Sequence, residues 1–123
     1  LPTCCEVAGI EVPDSLEGSS IKSLIGGCPP DFWRDELVVE TEIDIGGGPG
    51  GPGHSRALLG SRYKYSAYPM GRYREQLVDL WDDPGEMVNL AINDRYNVEL
   101  AENRSCLKAW CRKTNDPFYK FCL

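Results

Sequence analysis

The sequence predicts an α+β fold: an antiparallel β-meander followed by one long helix. Three observations point there. Between residues 37 and 81, apolar and polar residues alternate in short runs separated by Gly and Pro, the period of half-buried strands. From residue 93 to residue 112 the apolar spacing lengthens to that of an amphipathic helix. The charges are also blocked by sign. Residues 31–44 hold six acids and one arginine, 56–74 five bases and no acid, and 75–86 five acids. Neighbouring antiparallel strands with such blocks would pair across the sheet.

Taken in order, residues 1–9 read as the end of a helix. Leu1, Cys5 and Ala8 share a face, and Gly9 can take the left-handed stop conformation. A helix with its apolar stripe already in place at residue 1 is expected to continue a longer one. Residues 10–27 read as a loop with a helical turn around 20–25, and Cys28-Pro29-Pro30 forces an extended stretch. Residues 37–45 alternate as a strand, with Leu37, Val39, Thr41, Ile43 and Ile45 on one side. Glu36, Glu40, Glu42 and Asp44 take the other, apart from Val38. The run 46–53 is a glycine-rich connection stiffened by Pro49 and Pro52. Residues 56–68 make one or two strands, with Tyr63 and Tyr65 opposite Arg62, Lys64 and Ser66. Pro69 and Gly71 turn the chain, and 76–81 returns as a strand. Asp83-Pro84-Gly85-Glu86 reads as a helix start, with Asp83 as cap and Glu86 completing a capping box. The main helix is expected over 93–112, its stripe formed by Tyr96, Leu100, Leu107 and Trp110, with Asn103 as a polar interruption. Asp116-Pro117 ends it, and Phe118, Tyr119 and Phe121 form an aromatic tail.

Composition narrows the function classes. A formal charge of −6 over 123 residues argues against nucleic acid or an anionic membrane surface as partner. No apolar run approaches the ~18 residues of a membrane span. His54 is the sole histidine, so His-rich metal sites and most His-dependent hydrolytic machinery are excluded within this chain. No nucleophile stands beside a base. The six cysteines contain no C-x-x-C pair, which disfavours a metal or redox role and favours buried thiols or disulfides of unassigned pairing.

Several motifs, in order, cover the chain from Leu1 to about Trp110. They are Leu1-Pro2-Thr3, Ala8-Gly9-Ile10 with Pro13 and Gly18, Trp33-Arg34-Asp35 with Glu40, and Arg62-Tyr63-Lys64-Tyr65. The run from Gln76 through Asp79-Leu80-Trp81-Asp82-Asp83-Pro84-Gly85-Glu86 to Asn89-Leu90-Ala91 follows, then Leu107 with Trp110. Together they resemble the C-terminal region of the sulfatase family. Val78 stands where the family has Tyr and Gln76 where it has an acid, changes of packing and surface only. The resemblance implies a small antiparallel sheet of about four strands with the C-terminal helix packed across it. Residues 1–36 would be the end of a catalytic-domain helix and a connecting segment, and 37–123 the C-terminal α+β subdomain.

By the same resemblance, the parent would hydrolyse sulfate esters with a formylglycine and a divalent metal, calcium, both held in a catalytic domain. Cys28-Pro29-Pro30-Asp31-Phe32 does not supply the formylglycine motif, because Phe32 stands where Arg is required. No cofactor is expected in this chain, and catalysis by it alone is not expected. Its partners would be the sulfatase catalytic domain and, through it, the sulfate-ester substrate, whose cleft it would help to wall. The family expectation for location is an exported one: periplasmic, extracellular or lysosomal. His54 and Arg56 follow the glycine-rich loop and are the candidate substrate-binding residues, Arg by paired hydrogen bonds and His by a single one. Two other classes compete. The basic-aromatic stretch 62–74 suits a stand-alone binding module. Six cysteines and the Asn103-Arg104-Ser105 sequon suit a small secreted disulfide scaffold.

Overall fold

The computed structural model describes residues 1–16, 18–28, 30–42 and 53–123, which form two compact units, Leu1–Arg34 and Asp35–Leu123. In the first unit, α1 (Pro2–Ala8) starts on Pro2, whose missing N–H costs nothing at the first helical position. It stops at Gly9 (φ 71°), where the Gly9 and Ile10 N–H groups donate back to Glu6 O and Cys5 O. That is the glycine stop the sequence predicts. The short α2 (Lys22–Ile25) falls where a helical turn is expected. It is tied to α1 by the Ile21 N–H donating to Thr3 Oγ1 (3.1 Å) and Lys22 Nζ donating to Glu6 O (3.1 Å).

The second unit is the expected α+β arrangement. Strands β1 (Leu37–Glu42), β2 (His54–Leu59), β3 (Tyr63–Ala67) and β4 (Glu75–Asp79) form one antiparallel sheet in the order β1-β2-β3-β4. Residues 56–68 therefore resolve into two strands, joined by the turn at Gly60. The predicted continuation of β1 to residue 45, and residues 46–52 of the connection, lie outside the described residues.

Register builds the core. Val38, Leu58, Tyr65 and Leu77 stand side by side across the four strands, and Leu58, Tyr65 and Leu77 are buried. Against this row pack Leu100, Leu107 and Cys111 of α3 (Asn97–Lys113), closed off by Phe118 in the terminal 3-10 turn Pro117–Phe121. Leu100, Leu107 and Trp110 are thus the helix stripe the periodicity predicts. In β1 the face that joins this row carries Val38, Glu40 and Glu42, while Leu37 and Val39 lie opposite, each more than 40% exposed. The two glutamates are tolerated there because a buried arginine on β2 faces them.

Two boundaries differ from the sequence reading. The helix start expected at Asp83 does not form. Asp83 O accepts from the Glu86 N–H and Asp83 Oδ2 from the Val88 N–H (2.8 Å), so Asp83 caps a turn. Glu86 then takes φ 56°, which no helix can propagate, and its carboxylate pairs with Lys64 of β3 (2.5 Å) instead of reaching back to a cap. The long helix also starts later. Residues 90–92 and 94–96 are 3-10 turns capped by Asn89 and Asn93, and α3 begins at Asn97. Among the described residues no helix is long and apolar enough to cross a membrane.

Candidate functional site

The densest polar chemistry of the second unit lies where β1, β2 and the terminal turn meet. Arg56 sits in the middle of β2, pairs with Glu40 of β1 in register, and is 2% exposed. Its Nε donates to Asp116 Oδ2 (2.6 Å) and its Nη2 to Asp116 Oδ1 (3.1 Å), a two-pronged bond. Nη2 also lies 3.2 Å from Glu42 Oε1 and 3.3 Å from Glu40 Oε2, and Nη1 donates to Ser55 O (2.9 Å). The Phe118 ring backs the guanidinium at 5.2 Å.

Asp116 is aimed at this position by its own backbone. Asn115 takes φ 55°, the Asp116 N–H returns to Cys111 O (2.8 Å), and Asp116 Oδ1 caps the following turn by accepting from the Phe118 N–H (2.8 Å). Burial pushes the Asp116 carboxyl up, but the hydrogen bonds from Arg56 and the Phe118 N–H outweigh it and hold the group below the usual carboxylate range. Burial likewise opposes the charge on Arg56, and the carboxylates overcome it. The site is a charge clamp joining the sheet to the C-terminal turn.

The two candidate residues part company here. The Arg56 guanidinium is enclosed by three carboxylates, so contact with a sulfate would require exchanging partners it already holds. His54 opens β2 opposite Glu42 and is half-buried. Its Nδ1 has no hydrogen-bond partner among the described residues. With Glu42, Arg56, Pro117, Phe118, Lys120 and Phe121 it lines a crevice of about 20 Å³, room for a single water.

A second polar cluster ties α3 to β4. Arg104 Nε donates to Glu75 Oε1 (2.7 Å), Arg104 Nη2 pairs with Glu75 Oε2, and the Tyr65 hydroxyl donates to Glu75 Oε1. Burial raises the Glu75 carboxyl, but Arg104 and Tyr65 draw it below its usual range. A third pair, Arg62 on Asp79 (2.6 Å), links the β2–β3 turn to the end of β4. The acidic and basic blocks of the sequence therefore do pair across the sheet. Sequence reasoning passed over Asp116 and Glu75 as partners. Asp116-Pro117 was legible only as a helix stop, though the same dipeptide signals the cap that aims the carboxylate.

A metal does not fit these residues. Among the described residues no three His, Cys, Asp or Glu side chains are grouped to hold one. The carboxylates that do converge, Glu40, Glu42 and Asp116, converge on Arg56, whose fixed charge fills the place a cation would take. Nor does Phe32 fit a formylglycine motif at Cys28.

No family model matches the chain. Individual proteins do. The chain is 35% identical over 120 residues to a Δ4,5-hexuronate-2-O-sulfatase of Bacteroides thetaiotaomicron, covering 96% of this chain and 24% of that protein. It is 30% identical over 107 residues to an arylsulfatase of Clostridium perfringens, covering 87% of this chain and 20% of that one. A solved 2-O GAG sulfatase superposes with a TM-score of 0.77 at 31% identity, over 97% of this chain and 25% of its own. The chain belongs to the sulfatase family, as its C-terminal region. It spans about a fifth to a quarter of the length of the curated relatives it matches. The four-stranded antiparallel sheet with its C-terminal helix is the arrangement these sulfatases share. Several residues that carried the resemblance are now seen as parts of this subdomain's frame: Tyr65 in the core, Asp79 under Arg62, and Asn89 as a turn cap.

Proposed function

We propose that this sulfatase region flanks a catalytic domain that hydrolyses sulfate esters on sugars, and that it helps to wall the substrate cleft. The observation that carries this reading is the 35% identity, sustained over nearly the whole chain, to a quarter of a sulfatase named for 2-O-sulfated unsaturated hexuronate. The formylglycine and divalent metal implied by the family would belong to the catalytic domain. Residues 1–36 would lead out of that domain, and 37–123 would form the flanking subdomain. In this reading Arg56 is the clamp that fixes β2 to the terminal turn. His54, which lines the same crevice and is half-buried, is the group of the pair left to meet a sulfate or sugar hydroxyl.

The test uses the full-length enzyme. His54→Ala is expected to raise KM for a 2-O-sulfated unsaturated uronide several-fold with kcat little changed, the signature of lost uniform binding. Unaltered KM across several sulfate esters would remove His54 from the cleft. Absence of sulfate release from any sulfated sugar or aryl sulfate by the wild-type enzyme would remove the larger reading.

A further inference from the structure

Cys111 lies near the end of α3, and Cys122 follows the terminal 3-10 turn, eleven residues later. Their Sγ atoms are 3.8 Å apart. Cys111 is in the core beside Leu107 and Phe118, 1% exposed, while Cys122 is half-buried and so the more accessible of the two. The thiols do not create this approach. It is made by the backbone reversal between them: the left-handed Asn115, the Asp116 N–H returning to Cys111 O, and the Asp116 cap on the Phe118 N–H. A sulfur–sulfur bond is about 2.05 Å long, so the two sulfur atoms have less than about 2 Å left to close.

We propose that Cys111 and Cys122 are a disulfide-forming pair which, once joined, locks the C-terminal turn over the Arg56–Asp116 clamp. The oxidant is a small-molecule disulfide of the oxidised-glutathione class. The Cys122 thiolate attacks one sulfur of that disulfide, whose S–S bond breaks. The released thiolate takes up the proton that Cys122 lost. The Cys111 thiolate then attacks the Cys122 sulfur of the mixed disulfide and expels the second small thiolate, which takes the Cys111 proton. Two protein thiols are oxidised by two electrons, and one small disulfide is reduced to two thiols. Burial holds both cysteines in the protonated form, with Cys111 pushed up to about 12. The exchange is therefore slow at neutral pH and suits a bond made once, not a rapid switch.

The experiment treats the full protein with oxidised glutathione, blocks remaining thiols by alkylation, and maps tryptic peptides without reduction. Trypsin cuts after Arg112 and Lys120 and so separates the two cysteines. The expected result is a Cys111 peptide joined to the Cys122 peptide, with Tm raised by on the order of 10 °C over the reduced protein. Cys122→Ser, at the half-buried position, abolishes both changes. Alkylated Cys111 and Cys122 after oxidation, a glutathione adduct left on Cys122, or linkage of either to another cysteine would each overturn the proposal. The peptide map needs no variant, so a misfolded mutant leaves it decisive.

Discussion

The Arg56 guanidinium grips the Asp116 carboxylate with two bonds, 2.6 and 3.1 Å, across sixty residues of sequence. It is the contact by which β2 holds the turn after α3, and both side chains are almost wholly shielded from water. Removing one partner strands a buried charge on the other, which typically costs about 3–5 kcal/mol. Arg56→Ala is therefore expected to lower the urea midpoint steeply. Arg56→Lys should recover only part of the loss, because an ammonium cannot make the two-pronged bond. Wild-type stability in Arg56→Ala would show that the clamp contributes nothing.

Stability should depend on pH at both ends. Asp79 is held below its usual range by the Arg62 hydrogen bond, and Asp116 and Glu75 by their arginines against the effect of burial. A carboxylate lowered in the folded state stabilises above its unfolded pKa, near 4, and loses that contribution as pH falls through the folded value. Tyr65 and Cys111 are shifted upward, first by burial. The Cys111 contribution is complete below the unfolded thiol value, about 8.5, and is lost as pH rises toward 12; that of Tyr65 is complete below the unfolded phenol value, about 10, and declines only above it. Urea midpoints measured across the range should be flat from about pH 5 to 8 and decline on both sides. A midpoint unchanged at pH 3 would contradict the acid half.

Leu107 is completely buried at the centre of α3, against the row Leu58, Tyr65 and Leu77. Leu107→Ala should cost about 2–5 kcal/mol by lost transfer energy and the cavity left behind. The matched change at exposed Val98 of the same helix should cost less than about 0.5 kcal/mol. Equal effects in equilibrium unfolding would mean that the helix face has been assigned wrongly.

Asn89 uses its whole side-chain amide. Oδ1 accepts from the Leu77 N–H (3.1 Å) and the Ala91 N–H (3.0 Å), and Nδ2 donates to Glu75 O (3.0 Å). Asn89→Ala leaves backbone groups of β4 without partners and should destabilise by about 1–3 kcal/mol. Asn89→Asp keeps the acceptor and loses the donor, so it should fall between. Hydrogen exchange at Leu77 is the direct readout, and unchanged protection there would refute the assignment.

The sheet was legible because its information is local. Tyr63, Tyr65 and Leu77 alternate with Lys64, Ser66 and Gln76, and in a meander each strand pairs with its neighbour in sequence. Glycine at position 9 and the Leu100–Leu107 spacing likewise announced a helix stop and a buried stripe. What failed to show was long-range. Asp83 through Glu86 carries every local mark of a helix start, and only the pairing of Glu86 with Lys64 and its left-handed backbone cancel it. Arg56 looked like a free cation after a loop, because nothing near it in sequence reveals that Asp116 returns to cover it. Residue type singled out Arg56 at the start of an expected strand and His54 just after the glycine-rich loop, and the structure carries β2 back to include both. Residue type could not say which of them the fold had already filled.

The Asn89 amide has one more consequence. By accepting from Leu77 and donating to Glu75, it addresses the free side of β4 as the N–H and C=O of a single residue in an adjoining parallel strand would. At that point the outer ladder of β4 is already occupied by a side chain, and a foreign strand has nothing to template on. The opposite border, β1, carries no such imitation among the described residues and shows Leu37 and Val39 on one face. Among the described residues, strand addition to this sheet is thus favoured along β1 over β4.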